Sequence, residues 1–337
     1  MDLITPVCDD RITILPADVI HRILLFLPLK AAARTALLST QWRSHWRRIP
    51  QLVFFNDFRI APNDESMMKT LIFNICRVLL LHDGPIEKFT LAVPGLRSAP
   101  CESEIGQIIL HLSNRDVKTF QLVFYVRDNQ VYKLHSALFS CHQLNALDLR
   151  YCEFRQPSWF VGFGKLNILH MCQVILPTDF FENFLGKCPN LQTLLVKDCV
   201  GPSNIEVVAP RLQIFTFYGY LLQICFKHAP LLQSLVIDLH VRGQGVEKPV
   251  VDTAALFASL PALQQFRLDF QLLQYFAPGN HVSAPIRLPA PLHRIQSVNI
   301  RSVDLGSWEK AFAFACLIMS FPNLLYLTIQ LEASQQN

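Results

Sequence analysis

Histidines, cysteines and paired glycines are the residues of this chain whose types could do chemistry, as proton-transfer groups, metal ligands or phosphate-binding loops. The eleven histidines occur singly, and His170 is the only one inside a predicted strand. Gly162-x-Gly164 and Gly243-x-Gly245 lack the third glycine of a dinucleotide-binding loop, so we interpret them as turn residues. No G-x-S-x-G, H-E-x-x-H or P-loop sequence occurs. The sequence therefore predicts no catalytic residues, no cofactor and no metal in this chain.

The ten cysteines are spread along the chain without a C-x-x-C pair. Cys141 and Cys152 are eleven residues apart, as are Cys188 and Cys199, and this spacing follows an internal repeat, not a metal site. We expect reduced, mostly buried thiols in a protein of the cytoplasm or nucleus. A zinc site and a disulfide framework are the less favoured alternatives.

Residues 10–50 carry the pattern of three short helices. Pro16 fits the first position of a helix, where its missing N–H costs nothing. Pro28 is expected to end that helix, because the residue before a proline avoids the α region. The apolar residues between the two prolines recur at helical spacing: Val19, Ile20, Ile23, Leu24 and Leu27. A unit this small usually needs a partner to be stable.

Two further helical runs follow, at 31–38 and 41–48. Ser39 or Thr40 is expected to cap the second run. Trp42 and Trp46 lie on one face of it, because they are four residues apart.

This segment resembles the F-box, in the plant form that precedes leucine-rich repeats. The residues that carry the resemblance are Asp10, Arg11, Ile12, Leu15, Pro16, Val19, Ile20, Ile23, Leu24, Leu27, Pro28, Ala32, Arg34, Thr35, Leu38, Ser39, Trp42, Arg43 and Trp46. The resemblance implies docking onto the Skp-type adaptor of a cullin-based ubiquitin ligase. It implies that the adaptor-binding residues are Leu15, Pro16, Val19, Ile20, Ile23, Leu24, Leu27 and Pro28.

Two other interpretations of residues 10–50 stay open. One is a generic helical bundle with a tryptophan core, which does not explain the ordered spacings. The other is a nucleic-acid-binding helix, because Arg43, His45, Arg47 and Arg48 lie beside tryptophans. A net charge of +4 and a pI near 8.5 disfavour it, since basic nucleic-acid-binding domains normally exceed a pI of about 9.

The composition indicates a folded chain with a large core. Apolar residues make up 51% of the 337 positions and charged residues only 17%, which argues against disorder. The apolar run 311–319 is too short to span a bilayer, and the N-terminus has no basic stretch typical of a secretory signal. One small and one larger domain are expected for this length.

An internal repeat of the form apolar-x-x-apolar-x-apolar occurs ten times, at steps of 20 to 32 residues. The repeats begin at Ile86, Val117, Leu144, Leu166, Leu191, Leu212, Leu232, Leu263, Ile295 and Leu324. Each predicts a short strand that cannot bury its apolar face alone, so neighbouring repeats must stack. The fold class predicted is an α/β solenoid: a three-helix F-box, then an irregular leucine-rich-repeat arc with about ten parallel strands.

Prolines and helical segments separate the predicted strands. Prolines recur two residues before the repeat, where they are expected to end a helix and to set an extended approach to the strand: Pro189, Pro210, Pro230, Pro261 and Pro322. Helical returns are predicted at 178–185, 252–260 and 307–320.

Residues 64–82 predict an amphipathic helix that caps the first end of the solenoid. Its apolar side should consist of Met68, Leu71, Ile72, Ile75, Leu79 and Leu80. The sequence after it, at 82–91, also resembles the plant F-box and leucine-rich-repeat family, without an evident FBD region further on. The expected domains are the F-box at 10–57, a helical linker or cap at 58–85, and the repeats at 86–337.

Three functions are consistent with these features. The favoured one is a substrate-recognition subunit of a Skp–cullin–F-box ubiquitin ligase, whose repeats bind a protein substrate for ubiquitylation. An F-box scaffold that binds the adaptor without ubiquitylation is the second, and an enzyme with an unrecognised active site is the third. No membrane partner is expected.

The predicted substrate surface consists of strand residues that alternate with the inward-facing ones. They are Asp148, Arg150, Lys197, Tyr218, Asp238, Arg267, Asp269 and Arg301. Aligned strands should place them in one column, bordered by insertions at 242–249 and 277–291. A merely solvated face is the alternative.

Overall fold

The computed structural model describes residues 12, 15–54, 65–93, 102–124, 131–220, 223–239, 253–269, 292–303, 311, 314–315 and 317–331. The chain divides into two compact units, Met1–Leu144 and Asn145–Asn337. The insertions predicted to border the substrate surface, at 242–249 and 277–291, lie outside the described residues, as do Gly243 and Gly245. The predicted domain boundaries stay predictions.

Three short helices open the first unit: α1 (Ala17–Phe26), α2 (Leu29–Arg34) and α3 (Thr40–Trp46). A 3₁₀ turn at Thr35–Leu37 follows α2. Pro16 immediately precedes α1 instead of occupying its first position, and its ψ of 147° is not helical. Leu27 ends α1 in an extended conformation, as expected for the residue before Pro28.

Ser39 caps α3, because its Oγ accepts a hydrogen bond from the Trp42 N–H at 3.3 Å. The interior of the three-helix bundle consists of Ile20, Leu24, Ala32, Trp42 and Trp46, all buried. Trp42 donates through its indole N–H to the Ile12 carbonyl at 3.2 Å, so this buried donor is satisfied.

The rest of the first unit alternates strands and helices. Its elements are β1 (Gln51–Phe54), α4 (Glu65–Leu81), β2 (Lys88–Val93), α5 (Glu102–Ser113), β3 (Thr119–Phe124) and β4 (Tyr132–Lys133). The strands β1, β2 and β3 pair in parallel in that order.

Helix α4 confirms the helix predicted at 64–82. Five of its six expected apolar-side residues are buried, but Leu80 is 79% exposed, so that part of the prediction is wrong. Leu80 lies about 140° around the helix from the fully buried Ile75, on the opposite side. Helix α5 was not predicted, although Ile105, Ile108 and Leu112 have helical spacing and are buried.

The second unit is the larger stack of strands. Its elements are β5 (Ala146–Arg150), β6 (Cys152–Glu153), β7 (Ile168–Cys172), β8 (Thr193–Lys197), β9 (Asn204–Val208), β10 (Ile214–Gly219), β11 (Gln223–His228), β12 (Ser234–Leu239), α6 (Thr253–Ala258), β13 (Gln265–Asp269), β14 (Ser297–Val303) and β15 (Tyr326–Leu331). The order β5-β7-β8-β10-β12-β13-β14-β15 is parallel throughout, and β9 pairs with β11.

All ten predicted repeat strands are confirmed as β2, β3, β5, β7, β8, β10, β12, β13, β14 and β15. Each strand begins two residues after the first apolar residue of its repeat. That first apolar residue therefore lies in the turn before the strand and not in the strand itself. The α/β solenoid is thereby confirmed. Strand β1 is an additional parallel strand that was not predicted.

Tight turns introduce the strands. The Leu191 N–H donates to the Cys188 carbonyl at 3.1 Å, and this places Pro189 at the second position of a four-residue turn. The same bond recurs at the other four repeated prolines, where Leu212, Leu232, Leu263 and Leu324 donate. The expected extended approach is therefore a turn, which the fixed φ of proline favours at this position.

Within the second unit, one main-chain carbonyl joins each repeat to the next. The Asn167 oxygen accepts the N–H groups of both Gln192 and Thr193, at 2.9 Å each. The Gln192 oxygen in turn accepts those of Gln213 and Ile214, at 2.8 and 3.0 Å.

The predicted helical returns are irregular. The range 178–185 contains a π-helical turn at Phe180–Phe184, followed by a 3₁₀ turn at Leu185–Lys187. The range 252–260 contains α6, a helix of six residues. Within 307–320 the described residues 311, 314–315 and 317–318 are helical.

Candidate protein-binding surfaces

Large apolar side chains are exposed on the F-box helices. Phe26 is 89% exposed and Leu37 is 85% exposed, and Ile23, Leu25 and Leu38 are also exposed. The interior beneath them is complete without them. Exposed large apolar side chains on so small a unit are a candidate binding surface for another protein. We call Pro16, Ile23, Phe26, Leu37 and Leu38 the F-box apolar surface.

The predicted adaptor-binding residues divide into two groups. Pro16, Ile23 and Pro28 are exposed, and Leu15, Val19 and Leu27 are partly exposed. Ile20 and Leu24 are 0% and 1% exposed, respectively. These two lie four residues apart on the side of α1 that faces the bundle interior. The adaptor-binding role of the eight residues stays a prediction.

Phe26, Leu25 and Leu37 were not among the predicted adaptor-binding residues. The apolar spacing of α1 continues onto more than one side of the helix, so periodicity alone did not separate its inward from its outward side. One feature of the sequence points to the outward side: Phe26 is a large apolar residue in the last turn of α1, directly before the pair Leu27-Pro28 that ends the helix.

Polar contacts fix the end of the F-box helices to the segment that follows α4. Arg47 donates to the Leu81 carbonyl at 2.7 Å and forms an ion pair with Asp83 at 3.0 Å. The ring Nε2 of His82 lies 2.8 Å from the Ile49 carbonyl oxygen. Burial of the His82 ring lowers its pKa. Arg47 thus serves an internal contact, which weakens the nucleic-acid interpretation.

Two histidines meet on the F-box surface. Nδ1 of His45 on α3 lies 3.2 Å from Nε2 of His21 on α1, and the rings meet edge to face. Burial lowers the pKa of His45, and the neighbouring His21 and Arg48 lower it further.

The predicted substrate surface lies on the outward-facing residues of the second unit, in two adjacent rows instead of one column. Strand register aligns Arg150, Lys197, Tyr218 and Asp238 in one row, and Asp269 aligns with Arg301 in the same row. Asp148 and Arg267 belong to the neighbouring row. Nothing is inferred about the side chain of Asp269, which lies outside the described side chains.

Most charges of this surface are paired with one another. Arg150 donates to both carboxylate oxygens of Asp148, at 3.0 and 2.9 Å. Arg301 forms an ion pair with Asp238. The Lys197 ammonium lies 5.7 Å from the centre of the Tyr218 ring, within cation–π range. Two arginines and two aspartates of this surface are therefore held in ion pairs in the free protein.

Arg267 differs from these neighbours. Its Nε–H is buried and has no hydrogen-bond partner among the described residues. A buried donor left unsatisfied costs about 1–3 kcal/mol.

The last strand is uncovered. The inward-facing Leu327 and Ile329 of β15 are 41% and 42% exposed, whereas the corresponding Val298 and Ile300 of β14 are 1% exposed. Strand β15 is the last strand of the sheet among the described residues, and its inward apolar side is partly exposed.

Three thiols of the described residues are held in their protonated form by burial. Burial raises the pKa of Cys141 and Cys188 to about 12, and it also raises that of Cys199 to about 12. Protonated thiols are poor nucleophiles and poor metal ligands. Within the described ranges no three His, Cys, Asp or Glu side chains are grouped to hold a metal ion, and no helix there is long and apolar enough to cross a membrane.

Comparison with known families identifies both parts of the chain. The F-box domain profile matches residues 12–53. The profile described as the LRR repeats of the FBD-associated F-box protein At5g56370 matches residues 105–264.

Three Arabidopsis thaliana proteins are similar over large parts of the chain. F-box/FBD/LRR-repeat protein At1g13570 is 26% identical over 330 residues, which cover 97% of this chain and 77% of that protein. F-box/LRR-repeat protein At3g26922 is 30% identical over 68% of this chain and 75% of its own length. F-box/FBD/LRR-repeat protein At5g56420 is 29% identical over 62% of this chain, which spans about half (49%) of that relative. With an F-box bundle followed by a stack of parallel repeat strands, this chain belongs to the plant F-box/leucine-rich-repeat family.

Proposed function

We propose that the protein is a substrate-recognition subunit of a Skp–cullin–F-box ubiquitin ligase. The F-box docks on a Skp-type adaptor and, through it, on a cullin, and the repeats bind a protein substrate for ubiquitylation. The observation that carries this proposal is the F-box apolar surface, which stays exposed although the bundle beneath it has a complete interior. The complex works in the cytoplasm or the nucleus.

The chain acts by proximity and contributes no catalytic step itself. One part holds the adaptor and the other holds the substrate, so ubiquitin transfer to a bound lysine becomes effectively intramolecular. A scaffold of stacked repeats suits this task, because each repeat is fixed by main-chain hydrogen bonds to its neighbour.

The adaptor contact centres on Phe26 and Leu37. A few large, well-buried anchors normally dominate the affinity of a protein interface. Pro16, Ile23 and Leu38 extend the same surface, with Leu15, Val19, Leu27 and Pro28 at its margin.

The substrate contact uses the two outward rows of the second unit. Tyr218 supplies an aromatic anchor, and Arg267 supplies a donor that lacks a partner among the described residues. The paired charges around them favour a substrate with both acidic and basic groups over a strongly charged one.

A reconstituted ligase tests the proposal. The full chain is mixed with adaptor, cullin and the ubiquitin-transfer enzymes, and both adaptor capture and ubiquitin transfer to co-bound proteins are measured. Phe26→Asp should abolish both, whereas Phe73→Asp is the matched control, since Phe73 is an exposed phenylalanine of α4 outside the F-box apolar surface.

Undiminished adaptor capture by Phe26→Asp would refute the docking surface. Adaptor capture without any ubiquitin transfer would instead favour the scaffold function.

A further inference from the structure

An apolar groove of about 300 Å³ lies between α2, β1 and α4 in the first unit. The buried Phe54 and Ile75 line it from β1 and α4. Leu29, Ala33 and Val78 contribute further apolar wall. The volume falls at the lower end of the range of small-molecule sites, which are concave and mostly apolar.

Among the described residues, the charged side chains that line this groove are cations. Lys30 on α2 and Arg77 on α4 are both exposed, and Asn74 adds an amide. Neither cation forms an ion pair with any residue that the structure describes. The Arg77 guanidinium lies 5.8 Å from the ring of Phe73, a contact that leaves its N–H groups available.

We propose that this groove binds a small apolar molecule that carries one carboxylate. The apolar body lies against Leu29, Val78 and Leu81, whose partly exposed apolar surface it removes from water. The carboxylate accepts hydrogen bonds from the planar fork of Arg77, which matches it in geometry, and Lys30 adds a second positive charge. The positive charges of Lys30 and Arg77 repel an apolar ligand that is itself a cation. A neutral ligand forms no ion pair with either side chain.

The groove is distinct from the F-box apolar surface. It is lined from α2, β1 and α4, whereas that surface lies on α1 and on the residues after α2. A ligand in the groove bridges an F-box helix to the first repeat strand and to α4. Because it binds only the folded form, it raises the midpoint of thermal unfolding with its concentration.

The probe is 4-phenylbutanoate, and its neutral isostere 4-phenylbutanamide is the control ligand. Both are titrated into the full chain by calorimetry and by ligand-observed NMR. For about twelve non-hydrogen atoms, ligand-efficiency bounds predict a Kd of about 1 mM for the carboxylate. The amide should bind about threefold to tenfold more weakly, because the contact with Arg77 and Lys30 is lost.

Protein variants locate the site. Arg77→Gln should weaken carboxylate binding about threefold to tenfold and remove the preference over the amide. Ala33→Trp fills the groove and should abolish binding of both probes, with folding checked by thermal melting. Lys69→Gln, an exposed cation two turns earlier on α4, should bind like the parent.

Equal affinity for acid and amide in the parent would overturn the proposal, as would undiminished binding by Ala33→Trp. So would the absence of binding by either probe up to about 10 mM, ten times the expected Kd.

Discussion

Arg301 on β14 forms an ion pair with Asp238 on β12, so the contact spans β13 and joins strands that are not neighbours. Arg301 also donates to the Gln330 side chain of β15 at 3.1 Å. One side chain therefore links three of the last four strands of the stack across their outward face.

Charge reversal at Arg301 should destabilise the second unit. Arg301→Glu places a second carboxylate beside Asp238, whose side chain is only 14% exposed, and should lower the free energy of unfolding by about 1–3 kcal/mol. Urea denaturation measures the change. The swapped double variant Asp238→Arg with Arg301→Asp should recover part of the loss; no recovery would mean that the two side chains do not interact.

Arg267 should matter for binding more than for folding. Arg267→Gln removes a buried donor that has no partner among the described residues, so unfolding should change by less than about 1 kcal/mol. Capture of substrate proteins, quantified by mass spectrometry against the parent, should fall. Lys227→Gln is the control, an exposed cation on β11 away from the two outward rows. Equal capture by both variants would move the substrate site elsewhere.

Inward strand residues should carry the stability of the stack. Leu194 and Leu235 are 0% exposed, and replacing either by Ala should cost about 2–5 kcal/mol through the cavity left behind. Ile214→Ala, at an exposed position at the start of β10, should cost less than about 0.5 kcal/mol. Thermal melting compares the three. Melting of Leu194→Ala at the parent's midpoint would contradict the observed strand register.

Stability should decline as the solution becomes acidic, and His82 should account for part of the decline. Burial lowers the pKa of His82 from 6.5, and the nearby Arg115 also lowers it, although the hydrogen bond to Ile49 opposes the shift. The unfolded chain therefore binds more protons below pH 6.5, so the stability from neutral His82 is present above that pH and is lost as pH falls through the folded-state pKa.

The measurement is the free energy of unfolding between pH 7.5 and 5 for the parent and for His82→Asn. The variant should show a smaller slope, although its stability at pH 7.5 is lower because the contact with Ile49 is lost. Identical slopes for the parent and His82→Asn would assign the acid sensitivity to other groups.

The repeat strands were predictable because each repeat carries its own apolar signature. The unpredicted β1 carries it as well: Ile49, Leu52 and Phe54 are all buried and have the same spacing. It was missed because this stretch had been assigned to the F-box. In the structure the Pro50 carbonyl accepts the N–H groups of Glu87 and Lys88, as in the later repeats.

The candidate surfaces were less predictable than the strands. Periodicity placed Ile20 and Ile23 on one helix but did not say which of them faces the bundle interior. The pairing of Arg301 with Asp238 depends on the register of three strands, each set by turns and loops of different length. Pairings between residues 63 positions apart are not encoded in any local pattern.

The carbonyl that links each repeat to the next belongs to the main chain, so the joint does not depend on which side chain stands there. Asn167, Gln192 and Gln213 all serve as acceptors in the same way. A proline at a donor position such as Thr193 or Ile214 would remove one of the two hydrogen bonds and leave the other. The outward residues are therefore free to diverge during evolution while the spacing of the strands is kept, and new recognition specificities can arise on an unchanged frame.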